Sequence, residues 1–176
     1  METKLRSSEW DSVKRKLKMP NALLVDGRGR KGGLGLLWPR DVSVEILSFY
    51  THHIEACIKD GTNQPWRLVG FYGHHEVASR KHSWNLMRLL NGLSTLPTIF
   101  IGDFNEVLHR NEHVSQRRQR PTWQIERFRQ VVRDCGLVDM GYNLIERCVP
   151  RIGRSYFRRQ VSIIYLRIIR TIFQSY

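Results

Sequence analysis

Short apolar runs separated by turn residues fill the first part of the chain, and apolar residues at helical spacing follow. "NALLVD" (21–26), "LGLLWP" (34–39), "VSVEILSFY" (42–50), "HIEACIK" (53–59) and "PWRLVGFYG" (65–73) predict strands. Val42, Val44 and Ile46 alternate with Ser43 and Glu45, so that strand turns one face to a core. "DGTNQP" (60–65) predicts a hairpin loop, and "GRGRKGG" (27–33) a turn with a basic rim. Consecutive strands without intervening helices imply antiparallel pairing.

Helical spacing marks three other segments. Ser7 to Leu17 predicts a helix, with Ser7 or Ser8 as its cap and Asp11 in its first turn. Between Ser79 and Leu93, two stripes recur: Trp84, Met87, Leu90 and Leu86, Leu89, Leu93. Pro97 breaks that helix before the strand-like "TIFIGD" (98–103). In "PTWQIERFRQVVRDCG" (121–136), Ile125, Phe128, Val132 and Cys135 share one face and Arg127, Arg129 and Arg133 another. Thr122 is the expected cap and Gly136 the expected stop. This order of elements predicts an α+β fold, sheets inside and helices outside.

Composition adds a partner to the picture. The 176 residues, 41% hydrophobic, suit one globular domain with a core. Lys and Arg number 29 against 16 acidic residues, a formal charge of +13. Such an excess points to a polyanion, with nucleic acid ahead of an anionic membrane. Cys57, Cys135 and Cys148 share no metal-ligand spacing, which argues against zinc and a disulfide framework and for a reducing, intracellular compartment. The chain opens on "METKLRSSEW", without an apolar signal core, so secretion is not expected. No run approaches the roughly 18 to 20 apolar residues of a membrane span. "VKRKLK" (13–18) is a candidate nuclear-import patch. From Asn143 the sequence changes: no acidic residue follows Glu146, arginines accumulate, and "VSIIYLRIIRTIF" (161–173) reads as an amphipathic helix or as a tail without a packing partner.

The candidate chemistry lies at strand ends. Asp103 and Asn105 follow one strand, Tyr72 ends another, and Glu2 precedes the first helix. Carboxylates of this kind hold Mg²⁺, which takes oxygen ligands and keeps several waters. The metal polarises a phosphoryl oxygen, a carboxylate orients the attacking water, and amide and phenol groups support the developing charge. Each residue also has a plainer reading. Asp-Phe-Asn after a strand makes an Asx-turn, and a strand tyrosine is commonly a half-buried aromatic. The pairs His52-His53 and His74-His75 suit a metal poorly, because adjacent side chains on extended backbone diverge. Arg28 and Arg30 in the basic rim, and Arg117, Arg118 and Arg120 further on, are the candidate phosphate-backbone contacts.

Several motifs, in one order, carry a resemblance: "METKL", "GRGRKGGLGLLW", "WRLVGFYGHHE", "SWNLMRLL", "PTIFIGDFNEVLH" and "RPTWQIERFRQVVRDCGLVDMGY". Residues 1–142 resemble the endonuclease region of plant LINE-type (non-LTR) retrotransposons, within the endonuclease/exonuclease/phosphatase family. The resemblance implies a four-layer α/β/β/α sandwich of the DNase I-like kind and Mg²⁺-dependent hydrolysis of DNA phosphodiesters, with no small-molecule cofactor. It implies metal binding at Glu2, contact with the scissile phosphate at Tyr72, water activation near the metal at Asp103, and phosphate or leaving-group stabilisation at Asn105. The family pattern also has an asparagine-bearing strand before the glutamate and an Asp-His pair near its end; this sequence has neither, and no histidine beyond His113. "YGHHE" has His75 where the family usually has proline. The expectation is an incomplete domain over 1–142 with impaired catalysis, followed by a basic, divergent tail over 143–176. Nothing in the sequence fixes the oligomeric state.

Overall fold

The computed structural model describes residues 2–3, 7–26, 33–59, 61, 64–110, 120–139 and 165–167; for 2–3, 7–9, 13 and 165–167 it describes backbone alone. Two sheets lie face to face between helices. One has the order β1-β3-β2, from β1 (Glu2–Thr3), β2 (Asn21–Val25) and β3 (Gly33–Trp38). The other has the order β4-β5-β6-β7-β9-β8, from β4 (Ser43–Tyr50), β5 (His53–Lys59), β6 (Trp66–Tyr72), β7 (Thr98–Asp103), β8 (Val138–Asp139) and β9 (Tyr165–Arg167). The helices are α1 (Ser7–Leu17), α2 (Arg80–Gly92), preceded by a 3-10 turn at Val77–Ser79, and α3 (Thr122–Asp134).

Pairing follows connection length. β4–β5 and β5–β6, joined by short turns, are antiparallel, whereas β6 reaches β7 through α2 and pairs parallel to it. Alternation along β6 gives each face a task. Val69 and Phe71 join Phe100, Met87, Leu90, Phe104, Phe128, Val131 and Val132 in a large core between the sheet and α2 and α3. Tyr72, from the opposite face, meets Ile54 of β5 and Leu34 of β3 in a smaller core between the sheets, flanked by Leu23, Val25 and Leu36. Trp10 of α1 lies over Gly35 on the outer face of the small sheet, where a Cβ would collide with the indole. The layers are therefore helix, sheet, sheet, helix.

A buried ion pair ties the six-stranded sheet to the helix layer behind it. The Arg67 guanidinium, fully enclosed, donates to Glu55 Oε1 at 2.7 Å, to Thr98 Oγ1 at 3.1 Å and to the Leu90 carbonyl at 2.8 Å. These bonds give an enclosed charge the partners it needs, and they lock β5, β6, β7 and the end of α2 in one register.

Several local expectations change. Thr122 is the first helical residue of α3 rather than its cap; Pro121 precedes it, and the Thr122 hydroxyl accepts a bond from Arg110. Gly136 does end that helix, at φ 61°. In α2 the stripe through Met87 and Leu90 is buried, but Leu89 and Leu93 face outward, because the sheet covers only one side of the helix. In β4 burial alternates unbroken through Phe49, past a bulge between Ile46 and Ser48, so the apolar Leu47 and Phe49 fall on the exposed face and Tyr50 is exposed as well. Of the tail, Tyr165–Arg167 pairs with β7 and β8 as strand, not helix. "GRGRKGG" up to position 32 and most of the remaining tail lie outside the described residues.

Candidate active site

Parallel pairing of β6 and β7 brings two of the candidate residues level. Tyr72 and Asp103 are register partners at the carboxyl ends of the two strands, so both side chains leave the same face. The chain beyond is held close: the Gly73 N–H donates to the Asp103 carbonyl at 2.7 Å. Two glycines permit this approach. A Cβ at Gly73 would run into the Phe104 carbonyl, and one at Gly102 (φ 152°) into the Phe71 carbonyl.

Asp103 and Asn105 form the Asx-turn and something more. Asp103 Oδ1 accepts the Asn105 N–H at 2.8 Å. Asn105, at φ 53°, then turns its carboxamide back, and Nδ2 donates to the Gly73 carbonyl at 2.7 Å. Asparagine tolerates that backbone better than most residues because its short side chain bonds locally. The result is a clasp between the loops after β6 and β7, with Asp103 half-buried at its centre.

Tyr72 is buried, and a column of imidazoles flanks it. The His52 ring lies 6.0 Å from the Tyr72 ring with planes 9° apart, and 4.0 Å from the His74 ring with planes 20° apart. His52 Nδ1 stands 2.7 Å from the Tyr72 carbonyl, which fixes that nitrogen as the donor. His74 is held by Ser83 Oγ, which accepts its backbone N–H at 2.8 Å and lies 2.9 Å from its Nδ1. The adjacent histidines do diverge: His53 turns to Ser48, at 3.0 Å, and His75 stands 3.7 Å from Glu76 at the surface. Burial lowers the His53 pKa, opposed by Glu55 and reinforced by His52.

Behind the clasp sits Glu106, whose role sequence reasoning missed. Its carboxylate is enclosed, and Oε2 meets Gln124 Nε2 at 2.8 Å, Arg80 at 3.4 Å and Arg120 at 3.8 Å. Burial pushes its pKa up to about 7, against the pull of Arg80 and the bonds from Gln124 and Trp84. Two sequence signals were present. Glu106 stands directly before the apolar pair Val107 and Leu108, and Gln124 falls on the buried stripe of α3.

Glu2 enters from the other sheet. Its backbone registers opposite Leu34, whose side chain packs against Tyr72 between the sheets. Among the described residues no three His, Cys, Asp or Glu side chains gather as a metal cage. Mg²⁺ requires less than that, one or two carboxylates with waters and substrate phosphates; Asp103 ends β7 of one sheet and Glu2 lies on β1 of the other. Of the candidate phosphate contacts, Arg120 is turned inward to Glu106. Arg28, Arg30, Arg117 and Arg118 lie outside the described residues.

No protein-family model matches the sequence, and no curated protein matches it. Solved structures do. The endonuclease domain of TRAS1, a telomere-specific non-LTR retrotransposon, superposes with a TM-score of 0.58 at 13% identity, over 93% of this chain and 80% of that one. The 3′ phosphatase NExo from Neisseria, bound to product DNA hairpin, gives 0.54 at 15% identity, over 94% and 73%. The human Nocturnin catalytic domain gives 0.52 at 7% identity, over 91% and 64%. Layer order, sheet topology and these superpositions agree: the chain has the DNase I-like fold.

Proposed function

We propose that this chain derives from a retrotransposon endonuclease that hydrolyses DNA phosphodiester bonds with Mg²⁺, and that residues 1–142 are its partial domain. The observation that carries the reading is the register of Tyr72 with Asp103, clasped by Asn105, at one end of a DNase I-like sandwich. Asp103 receives a proton from, or orients, the attacking water. Tyr72 and Asn105 address the phosphate oxygens, Asn105 through the Nδ2 proton that Gly73 does not take. Glu2 and Asp103 are the residues that would hold Mg²⁺, which supplies Lewis-acid polarisation of the phosphoryl group when bound. Positions 114–176 hold no histidine, so within this sequence the proton transfer falls to Asp103, and impaired catalysis is the expected outcome. A general acid or base contributes about 10²- to 10⁴-fold.

Nicking of supercoiled plasmid, in Mg²⁺ and in EDTA, tests this. Slow Mg²⁺-dependent nicking is expected, with Asp103→Ala reducing it about 100-fold or more. The charge of +13 favours one other reading, a non-catalytic nucleic-acid-binding remnant. Salt-sensitive DNA binding without nicking would establish that reading instead.

A further inference from the structure

The described arginines are mostly committed to partners within the protein. Arg67 pairs with Glu55, Arg80 and Arg120 with Glu106, Arg88 with Asp134, and Arg129 and Arg133 with Glu126. Arg110 donates to Thr122, and Arg127 lies over the Trp123 ring at 5.3 Å. Among the arginines whose side chains are described, that leaves Arg15 and Arg40 without a carboxylate, hydrogen-bond or ring partner for the guanidinium. Both line the same cleft. It has a volume of about 770 Å³, lies between the end of α1 and the β3–β4 turn, and is also lined by Lys14, Lys18, Asp11 and Asp41. Pro20 and Pro39 complete its walls. Asp11 is spent on Lys14, at 3.0 Å.

Local structure builds this concentration of charge. α1 ends in a double bond pattern, Met19 N–H to the Lys14 carbonyl at 3.0 Å and Lys18 N–H to the Arg15 carbonyl at 3.2 Å. That pattern requires a left-handed residue, usually glycine; here it is Lys18, at φ 55°. The strained position therefore carries a cation into the cleft mouth. The cations of "VKRKLK" divide accordingly: Lys14, Arg15 and Lys18 line the cleft, while Lys16 does not. The cleft is remote from Tyr72 and Asp103. Pro39 follows Trp38, which pairs with Asn21 at one end of the small sheet, whereas Leu34 meets Tyr72 at the other. Four residue steps along the strand separate those ends, roughly 13 Å.

We propose that this cleft is a second binding site for the phosphate backbone of nucleic acid, separate from the site at Tyr72 and Asp103. Unpaired guanidinium groups beside ammonium groups on an open, shallow surface flanked by prolines suit successive phosphates. Each phosphate neutralised releases counterions, so each cation lost reduces the salt dependence of binding.

The test is fluorescence-anisotropy titration of a labelled 30-base-pair duplex in EDTA across a NaCl series. Three full-length proteins are compared: the unaltered chain, Arg15→Gln/Arg40→Gln, and Lys59→Gln/Lys81→Gln, which removes the same charge outside the cleft. The cleft variant is expected to bind about 10-fold more weakly, with the slope of log K against log salt reduced by about 2. The control should lose less than half as much on both measures. Equal losses in the two variants, or no change in the cleft variant, would overturn the proposal. Thermal melts of both variants should match the unaltered chain, because all four side chains lie outside the core. The plasmid assay keeps the two proposals apart. If nicking depends on Asp103 while the cleft variant binds normally, the cleft site alone fails; if nicking is absent while the cleft variant loses affinity, the endonuclease reading alone fails.

Discussion

At the scale of single residues, the candidate site is a set of backbone closures that happen to present chemistry. Asn105 illustrates this, since its amide N–H goes to Asp103 and its carboxamide to the Gly73 carbonyl. Asn105→Asp keeps size and turn preference but replaces the donor at Nδ2 with an acceptor, facing one carbonyl and one nearby carboxylate. A half-buried carbonyl that loses its donor costs about 1–3 kcal/mol. Urea unfolding of Asn105→Asp should show that loss, while Asn105→Gly, which suits φ 53°, should lose less. No loss in either variant would mean that the clasp contributes little. The sequence made Asp103, Asn105 and Tyr72 legible because each ends a strong strand pattern, and strand ends are where sheets expose side chains. It could not show the His52 column. Its rings come from a β-turn, a strand end and the loop before α2, and nothing local records that they stack.

Elements are joined behind the site by Glu106. Its carboxylate links the loop after β7 to the start of α2 through Arg80 and to the start of α3 through Gln124. The folded group keeps its proton up to about pH 7, whereas the ordinary glutamate value is 4.5. A folded-state pKa above the unfolded one favours folding fully below the lower value and loses that contribution as pH rises through the higher. Between pH 4.5 and 7 the protein should therefore lose stability through this residue, by roughly 3 kcal/mol at most. Glu106→Gln keeps a hydrogen-bonding side chain of similar size and cannot titrate, so its stability should be nearly level over that range. Parallel slopes for the two proteins would show that the pH response arises elsewhere. The element boundaries themselves were largely readable. Period-2 and helical spacing, with Pro97 and Gly136 as stops, mark β2 to β7, α2 and α3 closely. The failure in α2 has a physical cause, in that spacing reports which residues are apolar but not how much of an element its neighbours cover. Hence Leu89 and Leu93 remain exposed on α2.

At the scale of the whole molecule, the described residues form two cores of unequal size, and that inequality sets how the protein should open. Twelve buried residues, among them Phe71, Phe100, Phe104 and Phe128, fill the space between the six-stranded sheet and α2 and α3. Between the sheets the corresponding cluster is Leu34, Ile54 and Tyr72, with three partly buried neighbours. Hydrophobic stabilisation scales with the area removed from water, so α1 and the small sheet are held more weakly than β5, β6 and β7. Arg67 reinforces the difference, because all its bonds lie on the large-core side. Native-state hydrogen exchange should then show β2 and β3 amides exchanging through a partial opening, below the free energy at which β6 and β7 exchange. Phe128→Ala should lower global stability by about 3–5 kcal/mol. Leu34→Ala should chiefly lower the free energy of the partial opening. Because the small sheet carries Glu2 and covers Tyr72, Leu34→Ala should impair any Mg²⁺-dependent nicking before the protein unfolds globally. If β2, β3, β6 and β7 exchange together, at one free energy, the two layers unfold as a unit and the smaller core is the stronger constraint than its size implies.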